Sequence, residues 1–190
     1  MRTVVIVGAG ALGSHVALFL RNEDVVLRVV DFDRVEQKNT LAQFHGRPKL
    51  GVPKTESLRT TLQFLFGTKI EVRPYRLTAD NISEICGGTA LMVDCLDNAK
   101  SRKLVQAFSE QGAVPCVHGA LAAAGGFGRV VWGEQFVPDE ETAGAATCTA
   151  GEHLPFIALT AAYLARAVQL FLATGEQRGY AISPGGAVPV

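Results

Sequence analysis

Val4-Val5-Ile6-Val7-Gly8-Ala9-Gly10-Ala11-Leu12-Gly13-Ser14 decides the architecture of this chain. Four consecutive apolar, β-branched residues predict a buried strand. Gly8, Gly10 and Gly13 then turn the chain tightly and let backbone N–H groups approach an anion with no Cβ in between. From Ala11 onward the apolar positions take helical spacing, so a phosphate would sit at a helix N-terminus. This placement, strand then glycines then helix, points to a nucleotide site; the alternative is a turn that only packs a helix against a strand. Asp31 closes the next apolar run, where a carboxylate accepts hydrogen bonds from ribose hydroxyls. The alternative there is a solvated strand-end aspartate.

Outward from this stretch, strands and helices alternate. Strands are predicted over 3–7, 25–30, 69–75, 90–94 and 114–119, with helices over 11–21, 53–66, 81–86 and 99–111. This order implies an α/β fold: a Rossmann-like, doubly wound, mostly parallel sheet with helices on both faces. A polar, irregular stretch fills 33–51, and Pro53 stands at a first-turn position. Beyond Gly119 the reading is a strand over 128–132, a small-residue loop over 137–146 and a long apolar helix over 155–173, expected to be buried on most faces. Residues 179–190 read as an edge strand or a flexible tail. One domain over 1–190 is expected, with no internal repeat.

The composition is that of an ordinary soluble globular protein. Eighteen basic and eighteen acidic residues balance, and hydrophobic residues make up 48%. No basic excess points to nucleic acid, no unbroken apolar run is read as long enough to span a bilayer, and no secretory signal is evident. A cytoplasmic protein, self-associating as a homodimer, is therefore expected. The four cysteines, Cys86, Cys95, Cys116 and Cys148, form no C-x-x-C pair, so free thiols are expected and a structural zinc site is not.

Further blocks add chemistry. Asp31-Phe32-Asp33-Arg34-Val35-Glu36-Gln37-Lys38-Asn39-Thr40-Leu41-Ala42-Gln43 is followed by Gly51-Val52-Pro53-Lys54, then by Asp94-Cys95-Leu96-Asp97-Asn98 with Arg102 after it. With the glycine turn, these blocks resemble, in order and spacing, the signature of the E1-like activating enzymes, the group of ThiF, MoeB and HesA proteins and the adenylation domains of ubiquitin-activating enzymes. The resemblance runs from Val4 to about Ala173. It implies binding of ATP with Mg²⁺ and adenylation of the C-terminal carboxylate of a small ubiquitin-like or sulfur-carrier protein, usually one ending in Gly-Gly. By position, Gly8, Gly10 and Gly13, with Ala11 and Leu12 between them, would shape the phosphate loop. Asp31 would hold the ribose, with Asp33 beside it. Asn39 and Gln43 would line the phosphate region, and Lys54 would neutralise phosphate charge. Asp97 would bind magnesium, flanked by Leu96 and Asn98. Cys148, in Cys148-Thr149-Ala150-Gly151, matches a cysteine that in some members forms a thioester with the activated partner. The plainer readings are a solvated lysine at 54, a helix cap at 97 or 98, and an unreactive thiol at 148. Cys86, Cys95 and Cys116 read as packing residues. His45 reads as a surface histidine, and His118 as a strand-end residue facing the ligand edge.

The resemblance has departures. Ala42 stands where the family carries an arginine facing the triphosphate, and Lys38 where it carries serine; Arg47 and Lys49 lie just downstream. The family's N-terminal helix, which delivers an arginine to the neighbouring subunit, its zinc-binding cysteine pairs and much of its C-terminal sheet have no counterpart in these residues. Two other functions stay open at this point: a degenerate subunit that binds nucleotide without turnover, and an NAD-binding oxidoreductase, since a glycine turn plus Asp31 fits NAD equally well.

Overall fold

The alternation of Val4 and Ile6 with Val5 and Val7 sets the two layers. In a computed structural model that describes residues 1–112, 114–122, 125–137 and 151–190, strand β1 (Arg2–Val7) is central and buried on both faces. Val4 and Ile6 point into one core with helices α1 (Ala11–Phe19), α2 (Lys54–Phe66) and α5 (Leu154–Thr174). Val5 and Val7 point into a second core with α3 (Ile82–Cys86) and residues of α4 (Ala99–Glu110). Each fully buried Val, Ile or Leu contributes about 2 kcal/mol, which is why the strands read as unbroken apolar runs.

The remaining strands are β2 (Val25–Val30), β3 (Glu71–Arg73), β4 (Leu91–Asp94), β5 (Cys116–Leu121), β6 (Gly128–Trp132), β7 (Tyr180–Ser183) and β8 (Gly186–Pro189). They form one sheet in the order β3-β2-β1-β4-β5-β6-β7-β8. The first five are parallel; β6, β7 and β8 continue antiparallel. The strand order reverses at β1, so the carboxyl ends of β1, β2 and β4 open on a crevice, the place where sheets of this kind bind ligands. The α/β, doubly wound fold expected from the sequence is the fold observed.

Some boundaries differ. Helix α1 ends at Phe19, not Arg21, and β3 spans only Glu71–Arg73 within the predicted 69–75. The polar stretch carries two 3-10 turns, Gln37–Leu41 and Arg47–Lys49. The C-terminal residues form the β7–β8 hairpin. Contrary to the sequence reading, the segment Gly151–Thr174 is long and apolar enough, by length and composition, to cross a membrane; half of its most apolar stretch is buried. It packs on α1, β5 and β6. A Cβ at Gly119 would lie 2.5 Å from the Leu164 side chain, so a glycine in β5 sets how closely α5 approaches. On α5, Ala162, Arg166 and Ala173 form a narrow exposed stripe, while the rest of its circumference is buried or part-buried, in keeping with the sequence reading.

Candidate functional site

The chain leaves β1 through Gly8, whose φ of +98° is left-handed backbone suited to glycine. A Cβ at Gly13 would stand 1.8 Å from the Gly8 carbonyl oxygen, so the third glycine is required for helix and turn to touch. At Gly10 a Cβ would meet nothing within 4 Å, so open space lies there. Gly10 caps α1, and the first helical N–H groups, those of Ala11, Leu12 and Gly13, have no partner within the helix.

Asp31 locks this turn. Its Oδ2 accepts the Ala9 N–H at 2.6 Å and its Oδ1 accepts the Asp33 N–H at 2.7 Å. Each oxygen retains a further lone pair. Burial raises the carboxyl above its usual range, against the nearby Lys54 charge and the two N–H bonds, which favour ionisation. Lys54 opens α2 but is not a solvated lysine. Its side chain is 9% exposed and its Nζ lies 3.0 Å from Oδ2 of Asp33, while the Lys54 N–H donates to the Asp33 carbonyl at 2.8 Å. Residues 33 and 54 are thus pinned together through backbone and side chain.

The polar stretch folds back onto the glycine turn. Phe44 N–H donates to Ser14 Oγ at 2.9 Å. His45, read from the sequence as a surface residue, is only 4% exposed. Because a carbonyl only accepts, its Nε2–H donates to the Ala9 oxygen at 2.8 Å, and Nδ1 lies 3.2 Å from Ser57 Oγ, whose hydroxyl can donate to it. Burial, followed by the charges of Lys54 and His15, takes the imidazole down to about 4, against a partial lift from the Ala9 bond. Asn39 is buried and its Oδ1 accepts the Glu36 N–H at 2.8 Å, so it shapes its own turn. Gln43 is buried with Oε1 unpartnered among the described residues. Ala42, at the position of the family's arginine, is fully buried in the main core.

On the other side of β1, the turn after β4 carries Leu96, Asp97 and Asn98. Asn98 is the cap of α4, accepting the Ser101 N–H at 2.9 Å. Asp97 is exposed and has no partner among the described residues, so it is not the cap. His118 does not face an open ligand edge: it is fully buried, with Nδ1 2.8 Å from Asp94 Oδ2. Asp94 and His118 escaped the sequence reading as a pair; the available signal was a polar residue ending, or lying within, each of two neighbouring apolar strands. Burial pushes the Cys86 thiol up to about 11, and the Cys95 and Cys116 thiols higher still, as packing residues require. Cys148 lies outside the described residues. Among the described residues no group of three or more His, Cys, Asp or Glu could hold a metal ion; magnesium needs only one or two carboxylates beside phosphate oxygens and water.

The pattern of the ThiF family matches residues 2–174. The SAMP-activating enzyme E1 of Haloferax volcanii is 35% identical over 122 residues, 62% of this chain and 45% of the relative. The molybdopterin-synthase adenylyltransferase of Salmonella typhimurium is 33% identical over 121 residues, 62% of this chain and 48% of the relative. The sulfur carrier protein adenylyltransferase of Thermus thermophilus is 37% identical over 122 residues, covering 63% and 45%. The chain spans about half the length of these curated relatives. Among solved structures, E. coli MccB with ATP superposes over all of this chain and 63% of its own, with a TM-score of 0.78 at 14% identity, a likeness of fold.

Proposed function

Because this chain belongs to the ThiF family, we propose that it is an ATP-dependent adenylyltransferase, activating the C-terminal carboxylate of a small ubiquitin-like or sulfur-carrier protein that ends in Gly-Gly. The observation that carries this reading is convergence: the Gly8–Gly13 turn, the Asp31 carboxylate, the Lys54 ammonium and the unpartnered Asp97 lie on chain segments that leave one sheet edge. The likeness to the molybdopterin-synthase and sulfur carrier protein adenylyltransferases supports it. A cytoplasmic homodimer is part of the same proposal.

In such a reaction a carboxylate oxygen of the partner attacks the α-phosphorus of ATP. A new P–O bond forms, the bond to the bridging oxygen of the β-phosphate breaks, and pyrophosphate leaves an acyl-adenylate behind. Two anions must meet, so positive charge and in-line placement dominate the barrier. Asp31 offers its remaining lone pairs to the ribose. Gly8, Gly10 and Gly13 bring the N–H groups of Ala11, Leu12 and Gly13 to the phosphates. Lys54, held by Asp33, supplies a fixed cation, while Asn39 and Gln43 line the same region. Asp97 would hold magnesium between Leu96 and Asn98, and its exposed, uncommitted carboxylate fits that ion. Bound Mg²⁺ supplies Lewis acidity and neutralises charge on the departing pyrophosphate. Cys148 would then take the acyl group, its thiolate displacing AMP.

Ala42 favours a second reading, a subunit that binds nucleotide without turning it over. A fully buried methyl group cannot replace a cation at the triphosphate, and such a charge clamp is worth about 3 kcal/mol. Asp97→Ala distinguishes the possibilities. It should leave thermal unfolding unchanged and abolish Mg²⁺-dependent ATP–pyrophosphate exchange measured with a Gly-Gly-terminated partner. Unchanged exchange removes Asp97 from the site. Wild-type protein that binds ATP but shows no exchange supports the second reading, and binding of NADH in preference to ATP overturns both.

A further inference from the structure

We infer that Arg102 is a positioning residue: with Asp94 and His118 it holds the turn that presents the Asp97 carboxylate to a magnesium-bound nucleotide. This rests on the reading of Asp97 proposed above. Asp94 and His118 are register partners on β4 and β5, both fully buried. Asp94 divides its carboxylate between two neighbours: Oδ2 accepts from His118 Nδ1 at 2.8 Å, and Oδ1 accepts the Leu96 N–H at 2.9 Å. Arg102, on the first turn of α4, reaches back with Nη2 to the Leu96 carbonyl and, at 2.9 Å, to the Gly119 carbonyl of β5. Its Nη1 lies 4.0 Å from Asp94 Oδ2. The Leu96 residue is therefore held at its N–H by Asp94 and at its C=O by Arg102.

The following residues are fixed as well. Asn98 caps α4, so Asp97 stands between two anchored neighbours while its own side chain stays free. Phe136 closes the network. Its ring stacks on His118 at 4.4 Å with planes 3° apart, and the Arg102 guanidinium lies 5.0 Å from the same ring. Gln106 of α4 ties Phe136 down through a 2.9 Å bond to its carbonyl. Burying a carboxylate and a guanidinium fills a core less favourably than apolar side chains of the same volume would. What the charges add is geometry: two carbonyls and one N–H, from the turn after β4 and from within β5, set around a single guanidinium and carboxylate.

Arg102→Lys tests this directly. It keeps the charge but replaces the rigid guanidinium, whose Nη2 meets both carbonyls while Nη1 faces Asp94, with a shorter and freely rotating ammonium. Amide hydrogen exchange at Leu96, Asp97 and Asn98 should quicken about tenfold while the β1 amides stay unchanged. ATP affinity in EDTA should stay within about twofold of wild type, while the gain produced by added Mg²⁺ falls about tenfold. Unaltered exchange at residues 96–98, or an equal loss of ATP affinity with and without Mg²⁺, overturns the inference. A wild-type protein whose ATP binding ignores Mg²⁺ defeats the reading of Asp97 instead, and the exchange data still decide whether Arg102 holds the turn. Phe136→Leu, which keeps every hydrogen bond and removes the stacked ring, must move both readouts in the same direction. If Arg102→Lys does not fold and Phe136→Leu moves neither, the inference fails.

Discussion

Acid should loosen this protein through one side chain, His45. Its ring is buried beneath the glycine turn as the neutral form, donating from Nε2 to Ala9 and placed to accept at Nδ1 from Ser57. Protonation would put a donor on Nδ1, facing the Ser57 hydroxyl, and a charge into a buried site already close to Lys54. The folded value of about 4 lies below the ordinary 6.5. A lowered histidine value means that the unfolded chain binds the proton more tightly. The associated stability is therefore complete above pH 6.5 and is lost as pH falls from 6.5 through about 4; the full span corresponds to about 3 kcal/mol. That is a large share of the roughly 5–15 kcal/mol that holds a typical domain folded. Urea unfolding of wild type and His45→Gln at several values between pH 7 and pH 4 measures it. The stability difference between the two proteins should shrink by about 3 kcal/mol across that range. Asp31 contributes with the opposite sign, since its raised value makes ionisation costly as pH climbs past 3.8. It is present in both proteins and cancels. Parallel pH profiles for wild type and variant, or an NMR titration placing His45 near 6.5, would refute the reasoning.

Two further outcomes follow from packing. Gly13→Ala should destabilise the fold by at least about 2 kcal/mol in denaturant titrations, because its methyl group collides with the Gly8 carbonyl. Gly10→Ala, with open space around it, should melt within a degree or two of wild type yet weaken ATP binding measured by calorimetry. The buried, raised thiols of Cys86, Cys95 and Cys116 should resist iodoacetamide at pH 8 in the native protein and react only on unfolding; mass spectrometry of the native sample showing any of them modified early would contradict their burial.

Much of the fold was legible because parallel strands buried on both faces leave continuous apolar runs, as in Val4–Val7 and Leu91–Val93. Where burial is partial the signal fades. Strand β3 is half-buried throughout, and its predicted ends overran the three residues that pair. The tail was harder, since β7 is added to β6, and β8 to β7, with no apolar pattern of their own. In the site, local turns and motif spacing singled out Asp31, Lys54 and Asp97. The surroundings of His45 and His118 stayed hidden because their partners, the Ala9 carbonyl and Asp94, lie 36 and 24 residues away in sequence. Nothing local to a histidine says whether a distant carbonyl or carboxylate will meet it in the core.

Ala9 is gripped on both sides of one residue, its N–H by Asp31 and its C=O by His45. Those two side chains come from different segments, so the cradle takes its shape only once the sheet and the polar stretch have assembled. If the proposed adenylyltransferase reading holds, an incoming phosphate would meet a turn already tied at both ends of Ala9, and little entropy should be lost from the protein when it docks.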